Sequence, residues 1–171
     1  MNKYIVALFC LAGLRLSEVF GLNWTDFNFK NKTLSIRRQY IRSRIEPVKT
    51  DESRATIPMC GDLIMLMKEW KLQSGSFDWV FQGKGNKPLS SEGWAINQWP
   101  RIKKQYSFPA GFRIHDFRHT FATVLLEFRV PIENVQLLLR HRNLQTTSEL
   151  YRHLVPAKLQ KEISMLNFFL P

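Results

Sequence analysis

Six side chains in four short segments have the types and spacing that phosphoryl chemistry uses. In Gly13-Leu14-Arg15-Leu16-Ser17-Glu18, Arg15 stands at or near the start of a helical pattern. Unpaired backbone N–H groups there favour an anion, and a guanidinium adds a fork suited to two phosphate oxygens. The plainer reading is an exposed arginine paired with Glu18. Lys49 lies in the polar turn Lys49-Thr50-Asp51-Glu52-Ser53 between two strand-like stretches. A lysine on a hairpin tip reaches into a groove, to contact DNA or to protonate a leaving oxygen; most such lysines are simply solvated.

His115-Asp116-Phe117-Arg118-His119 puts an imidazole and a guanidinium three residues apart, hence on one helical face. One binds charge while the other donates or accepts a hydrogen bond. The same letters read as H-D-x-x-H, near the zinc-protease pattern. That reading is poor: the base position holds Asp116, Arg118 would set a fixed positive charge beside the metal, and no convincing third ligand stands out in the sequence. His119 reads as a structural helix residue. Last comes Arg140-His141, followed ten positions on by Tyr151. A mid-helix tyrosine is ordinarily an aromatic packing residue. It becomes a nucleophile when cations lower its pKa and hold a phosphodiester against its hydroxyl. Each segment is weak alone. Together, Arg15, Lys49, His115, Arg118, His141 and Tyr151 supply positioning, charge stabilisation, a leaving-group acid and a nucleophile without a metal.

The elements that must position these residues are mostly helical. Residues 3–12 predict a helix with Ile5, Leu8, Phe9 and Ala12 on one face, ended by Gly13. A short helix over 15–22 turns Leu16, Val19 and Phe20 inward. Leu34, Ile36 and Tyr40 fall on alternate positions of a strand-like run, and 45–49 and 54–58 predict two more strands. The expectation is one small three-stranded antiparallel sheet in an otherwise helical α+β domain. Helices follow over 62–73, from Ser90 or Ser91 through Trp94, Ile96 and Trp99 with an interruption at Pro100, over 116–129 with Phe117, Phe121, Leu125 and Phe128 on its apolar face, and from Pro131 to about 140. Thr146 and Glu149 suit a capping box for a helix carrying Tyr151. A last helix aligns Leu159, Ile163, Leu166 and Leu170.

A chain of 171 residues suits one domain. Lys and Arg number 25 against 14 Asp and Glu, a net charge of +11, which points to a polyanion such as nucleic acid. Cys10 and Cys60 both lie in apolar stretches that read as buried; they make neither a metal spacing nor a disulfide framework, so a reducing compartment suits them. The apolar run from Tyr4 to Leu14 is too short to span a bilayer and leads straight into Arg15, so it reads as a buried helix rather than a signal peptide.

With these segments in view, the chain resembles the tyrosine recombinase (phage integrase) family over nearly its whole length. Leu11 to Val19 looks like the family's first arginine box. Lys49-Thr50 with Ser53-Arg54 and Ile57-Pro58 is similar to its sheet-lysine segment. His115 to Thr123 matches the second box closely, and Leu139 to His153 resembles the final box. The resemblance implies that Tyr151 attacks the scissile phosphate to form a 3′-phosphotyrosyl bond. It implies that Arg15 and Arg118 hold the non-bridging oxygens and that Lys49 protonates the leaving 5′ oxygen. His115 would assist proton transfer, His141 would hydrogen-bond the phosphate, and Glu18 would support the site. No cofactor or metal is implied. The implied partner is double-stranded DNA, with self-association on it, through the C-terminal helix in the family manner, and no membrane. A bacterial or phage-encoded protein acting in the cytoplasm is the matching setting.

Two departures stand out. The family usually has glycine before the third-box histidine, and here it is Arg140, which either strains the turn or adds a phosphate contact. Residues 1–171 read as the catalytic domain alone, with the family's N-terminal DNA-clamping domain absent from this chain. Two rivals share the same fold: a type IB topoisomerase, and a DNA-binding module with impaired catalysis.

Overall fold

Helix α1 (Asn2–Ala12) forms from a run whose apolar residues point to several sides, and it is buried on several sides: Tyr4, Ile5, Ala7, Leu8, Phe9 and Ala12 are all in the core. A helix so placed must be packed from more than one direction, and α3 (Gly61–Gln73) and α6 (Asp116–Glu127) both lie against it. It stops at Gly13, whose φ of 57° is the left-handed conformation that closes a helix, with its N–H donating to the Phe9 carbonyl at 3.2 Å. A Cβ there would meet the Phe121 ring of α6 at 2.6 Å, so only glycine allows α1 and α6 this approach. The computed structural model describes residues 1–47 and 55–140.

Helix α2 (Leu16–Phe20) follows at once and buries Val19 and Phe20. The next segment forms two small antiparallel sheets where the sequence predicts one. Strand β2 (Thr33–Ile36) pairs on one side with β1 (Phe27–Asn28) and on the other with β5 (Ala55–Pro58), Leu34 opposite both Phe27 and Ile57. Among the described residues, strand β3 (Arg38–Ile41) pairs only with β4 (Arg44–Pro47). The strand-like run over 34–40 is therefore cut at Arg37. On its far side Arg38 turns its guanidinium onto both Asp26 oxygens, at 2.9 and 3.1 Å. The β3–β4 turn is Arg42-Ser43, both at positive φ, the two-residue geometry that suits a twisted hairpin. Strands β4 and β5 thus belong to different sheets, and the segment 48–54 that carries Lys49 connects them outside the described residues.

The expected helix through Trp94 and Trp99 is two helices, α4 (Ser91–Asn97) and α5 (Trp99–Gln105), with Pro100 in the first turn of the second. Proline is tolerated there because that N–H has no helical partner anyway. Ser90 caps α4, its hydroxyl accepting from Gly93 N–H at 3.0 Å. The break leaves Trp94 and Trp99 inside and Ile96, expected beside them, exposed. Phe117 packs edge-on against Trp99, Phe108 and Phe112, which fixes the start of α6 on the core. Phe128, expected on the apolar face of α6, is exposed because the helix ends at Glu127 and leaves it as the cap. A smaller cluster of Ala122, Leu126, Val135 and Leu139 joins α6 to α7 (Ile132–Leu139). Cys10 is half-buried and Cys60, expected inside, is exposed at the cap of α3.

Candidate functional site

Arg15 is the capping residue of α2, with an extended backbone (φ −76°, ψ 154°). Three positions on, Glu18 folds back to accept its backbone N–H at 2.8 Å through Oε2 and its Nη1 at 2.7 Å through Oε1. Arginine is a poor capping residue by type; Glu18 supplies the acceptor instead. The carboxylate is buried, whereas the Arg15 side chain keeps about a third of its surface open. Helix α2 is barely more than one turn, so the positive character here comes from guanidiniums rather than a helix end.

Arg118 enters from the first turn of α6 and is almost wholly buried. Its Nη1 donates to the Gly13 carbonyl and its Nη2 to the Leu139 carbonyl. It therefore ties the end of α1 to the end of α7, the two points from which Arg15 and Arg140 depart. Its Nε is buried without a hydrogen-bond partner among the described residues. Burial, then repulsion from Arg15 and Arg140, pulls the guanidinium down to about 9, so it stays charged at neutral pH but lacks a full counter-charge.

Arg140 closes α7 in the left-handed conformation, φ 57° and ψ 43°. That is the backbone for which glycine is the natural choice, and a side chain there costs about 1–2 kcal/mol. The side chain does not reach outward to an anion. It turns in, fully buried, and Nη2 meets Glu18 Oε2 at 2.7 Å while Nη1 donates to the Leu138 carbonyl at 2.8 Å. Burial pushes the Glu18 carboxyl up, but Arg140 and then Arg15 outweigh it and hold it below its usual range. The anion in this cluster is thus ionised at neutral pH and shared between two arginines.

His115 sits just ahead of α6 rather than inside it, half-buried, its carbonyl accepting from Arg118 N–H at 3.0 Å. Burial first, and then His119, Arg118 and Arg15, lower its pKa, so it is neutral at physiological pH. The His119 ring packs edge-on to it at 4.8 Å. Asp116, which the zinc-like reading would use as a base, instead holds Arg113 through its backbone N–H at 2.7 Å and its Nη2 at 3.1 Å. Among the described residues no three His, Cys, Asp or Glu side chains gather as a metal-binding set.

The structure therefore brings Arg15, Glu18, His115 and Arg118 into one neighbourhood. Lys49, His141 and Tyr151 lie outside the described residues, as do the tail leucines. Arg140 is the member whose role sequence reasoning missed. The clue was present: Glu18 is an acid among basic segments, and two arginines compete for it. The carbonyls of Gly13 and Leu139 left no signal, since any residue supplies a carbonyl. A contrast elsewhere shows what is unusual. Asp26 is also buried, but the half-buried Arg38 meets both its oxygens, and its second neighbour, Arg37, is solvated and 3.9 Å away. At Glu18 one buried and one partly open guanidinium share a single carboxylate, and the buried Arg118, held on two carbonyls, adds a third positive charge nearby.

Comparison with known proteins shows the family of the chain. The Phage integrase family model matches residues 1–158, and the chain belongs to that family. It is 30% identical to a tyrosine recombinase XerC-like protein of Caldanaerobacter subterraneus subsp. tengcongensis, over 94% of this chain and 48% of that protein. It is also 30% identical to the tyrosine recombinase XerC of Chlamydia trachomatis serovar L2, over 95% and 49% respectively. The chain spans about half the length of the curated relatives it matches. Among solved structures, the Tn1549 transposon integrase bound to circular intermediate DNA superposes with a TM-score of 0.82 at 22% identity, over 96% of this chain and 59% of that one. The XerA recombinase gives 0.76 at 18% identity, over 96% and 56%. The fold is that of these catalytic domains.

Proposed function

We propose that the chain carries the strand-cutting and rejoining centre of a site-specific DNA recombinase. The observation that carries this reading is the pocket of Arg15, Arg118 and Arg140 around one carboxylate, positive in excess and beside a neutral imidazole. A buried, under-compensated set of guanidiniums is stabilised by an incoming phosphate, and becomes more so as charge builds on its oxygens. The recombinases and integrases it resembles include several solved with DNA.

Tyr151 Oη would attack phosphorus, the P–O5′ bond would break, and a 3′-phosphotyrosyl bond would form. Neutral His115 takes the phenolic proton, and Lys49 gives a proton to the departing 5′ oxygen. Arg15 and Arg118 hold the non-bridging oxygens, and His141 adds a hydrogen bond. Attack by a different 5′-hydroxyl reverses the step and joins new partners. The bond energy is kept in the phosphotyrosine, so neither ATP nor metal enters. The chain would work on double-stranded DNA in the cytoplasm and self-associate there through its tail.

One observation favours a second reading. Arg118 is almost wholly buried and its terminal nitrogens already serve two carbonyls, as in a DNA-binding module with impaired catalysis. Each nitrogen still holds a second hydrogen, so both roles are open to the one side chain. A nicked suicide duplex incubated in EDTA separates the readings. The recombinase reading expects a DNA-linked species that survives detergent and vanishes in Tyr151→Phe. Salt-sensitive binding with no adduct would favour the impaired module.

A further inference from the structure

The family's usual glycine is replaced by Arg140, and its side chain turns inward onto Glu18. Arg140 is 0% exposed in its side chain and its Nη2 occupies Oε2 of Glu18, the oxygen that also accepts the Arg15 backbone N–H. Arg15 is left with a single side-chain contact to that carboxylate, Nη1 to Oε1. Its Nε and Nη2 have no partner among the described residues, on a side chain 35% exposed. Without Arg140, the buried carboxylate would keep Arg15 as its one ion-pair partner among the described residues, since Arg118 is held on two carbonyls, and would favour the two-armed grip typical of arginine and carboxylate.

We propose that Arg140 is a positioning residue: by holding Oε2 of Glu18 it restricts the Glu18–Arg15 pair to one arm and leaves the rest of the Arg15 guanidinium for a phosphate. The inference rests on the reading of this pocket as a phosphate site. It accounts for a bulky residue in a left-handed position, because glycine would relieve the backbone but release the carboxylate onto Arg15. It also accounts for the direction of the side chain, which a contact to DNA would not require.

The test uses inorganic phosphate as the probe and the Arg15 Nε–Hε resonance as the readout, in the wild-type chain and in Arg140→Gly, Arg140→Gln, Glu18→Gln and the double variants. Circular dichroism shows which variants are folded, and Arg140→Gln serves if Arg140→Gly does not fold. Phosphate affinity at Arg15 is expected to fall at least threefold in the Arg140 variants. Adding Glu18→Gln should restore it by a larger factor in the Arg140 background than in the wild type. Simple loss of one positive charge gives equal factors in both backgrounds, and a merely structural role gives losses that add. Either pattern overturns the proposal, as does unchanged or tighter binding in folded Arg140→Gly. Adduct formation on the suicide duplex is measured alongside. Phosphate results as expected with no wild-type adduct would sink the transesterification reading and leave this one standing; a wild-type adduct with no coupling between positions 18 and 140 would do the reverse.

Discussion

Glu18 lies between two guanidiniums in a space that water scarcely reaches, and its charge state governs the stability of the cluster. Its carboxyl is held below the usual range in the folded chain. The contribution is therefore fully present above the unfolded value of about 4.3 and is lost as pH falls through the lower folded value. Replacing it with Gln leaves buried Arg140 uncompensated, a loss on the order of 3–5 kcal/mol at pH 7. Denaturant titrations of wild type and Glu18→Gln should show that gap at neutral pH and a shrinking gap in acid below the unfolded value; a gap constant into strong acid contradicts the assignment. His115 runs the other way in function. Its pKa lies below the ordinary value, so the neutral base predominates at pH 7 and protonation comes at a lower pH than for a free imidazole. The cleavage rate should hold near pH 7 and fall in acid, with an apparent midpoint below the ordinary imidazole value of about 6.5. His115→Gln should be slower at neutral pH and lack that acid limb. A wild-type rate that falls from pH 8 downward would place the proton elsewhere.

The ends of three helices, rather than their middles, build the pocket: Gly13 closes α1, Arg15 caps α2, and Arg140 closes α7. Gly13 serves twice, since its φ ends α1 and its carbonyl receives Arg118. Gly13→Ala must hold a left-handed residue and push against Phe121, at a cost of about 1–2 kcal/mol for the backbone alone. Thermal unfolding should register that loss, and adduct formation should fall by more than a similar loss of stability produces in Ile5→Val, a core truncation worth about 0.5–1.5 kcal/mol. Equal activity at equal stability would deny Gly13 its second role. The elements were legible to different degrees. The existence of α1, the α3 periodicity, the start of α7 at Pro131 and the stop at Gly13 could be read directly, because apolar spacing, proline's fixed φ and glycine's conformational freedom all leave marks in the sequence. The split sheet could not. Arg42-Ser43 makes a turn that Asn-Gly or Asp-Gly would have announced, and strand pairing β2 to β5 across twenty residues has no local signal. Of the site, Arg15, Glu18, His115 and Arg118 were legible from type and spacing. The inward turn of Arg140 was not, since it depends on where α7 ends relative to α2.

Across the whole molecule, a charge of +11 rests on a domain whose described helices are none of them long and apolar enough to cross a membrane. Duplex binding should weaken with salt along a log–log line of slope near −0.9 per phosphate contacted, so each exposed Lys or Arg that touches the backbone reduces the slope by about 1 when neutralised. An affinity indifferent to salt would exclude phosphate-backbone binding as the main term. The account depends most on what the pocket holds. A crystal structure of the chain with a nicked duplex and Tyr151→Phe addresses it directly. The account predicts one phosphate with its non-bridging oxygens about 3 Å from Arg15 and Arg118 nitrogens, Arg140 still on Glu18, and the ring of residue 151 facing the phosphorus. A duplex bound elsewhere on the surface, with Arg15 and Arg118 paired as they are now and no phosphate between them, would contradict it.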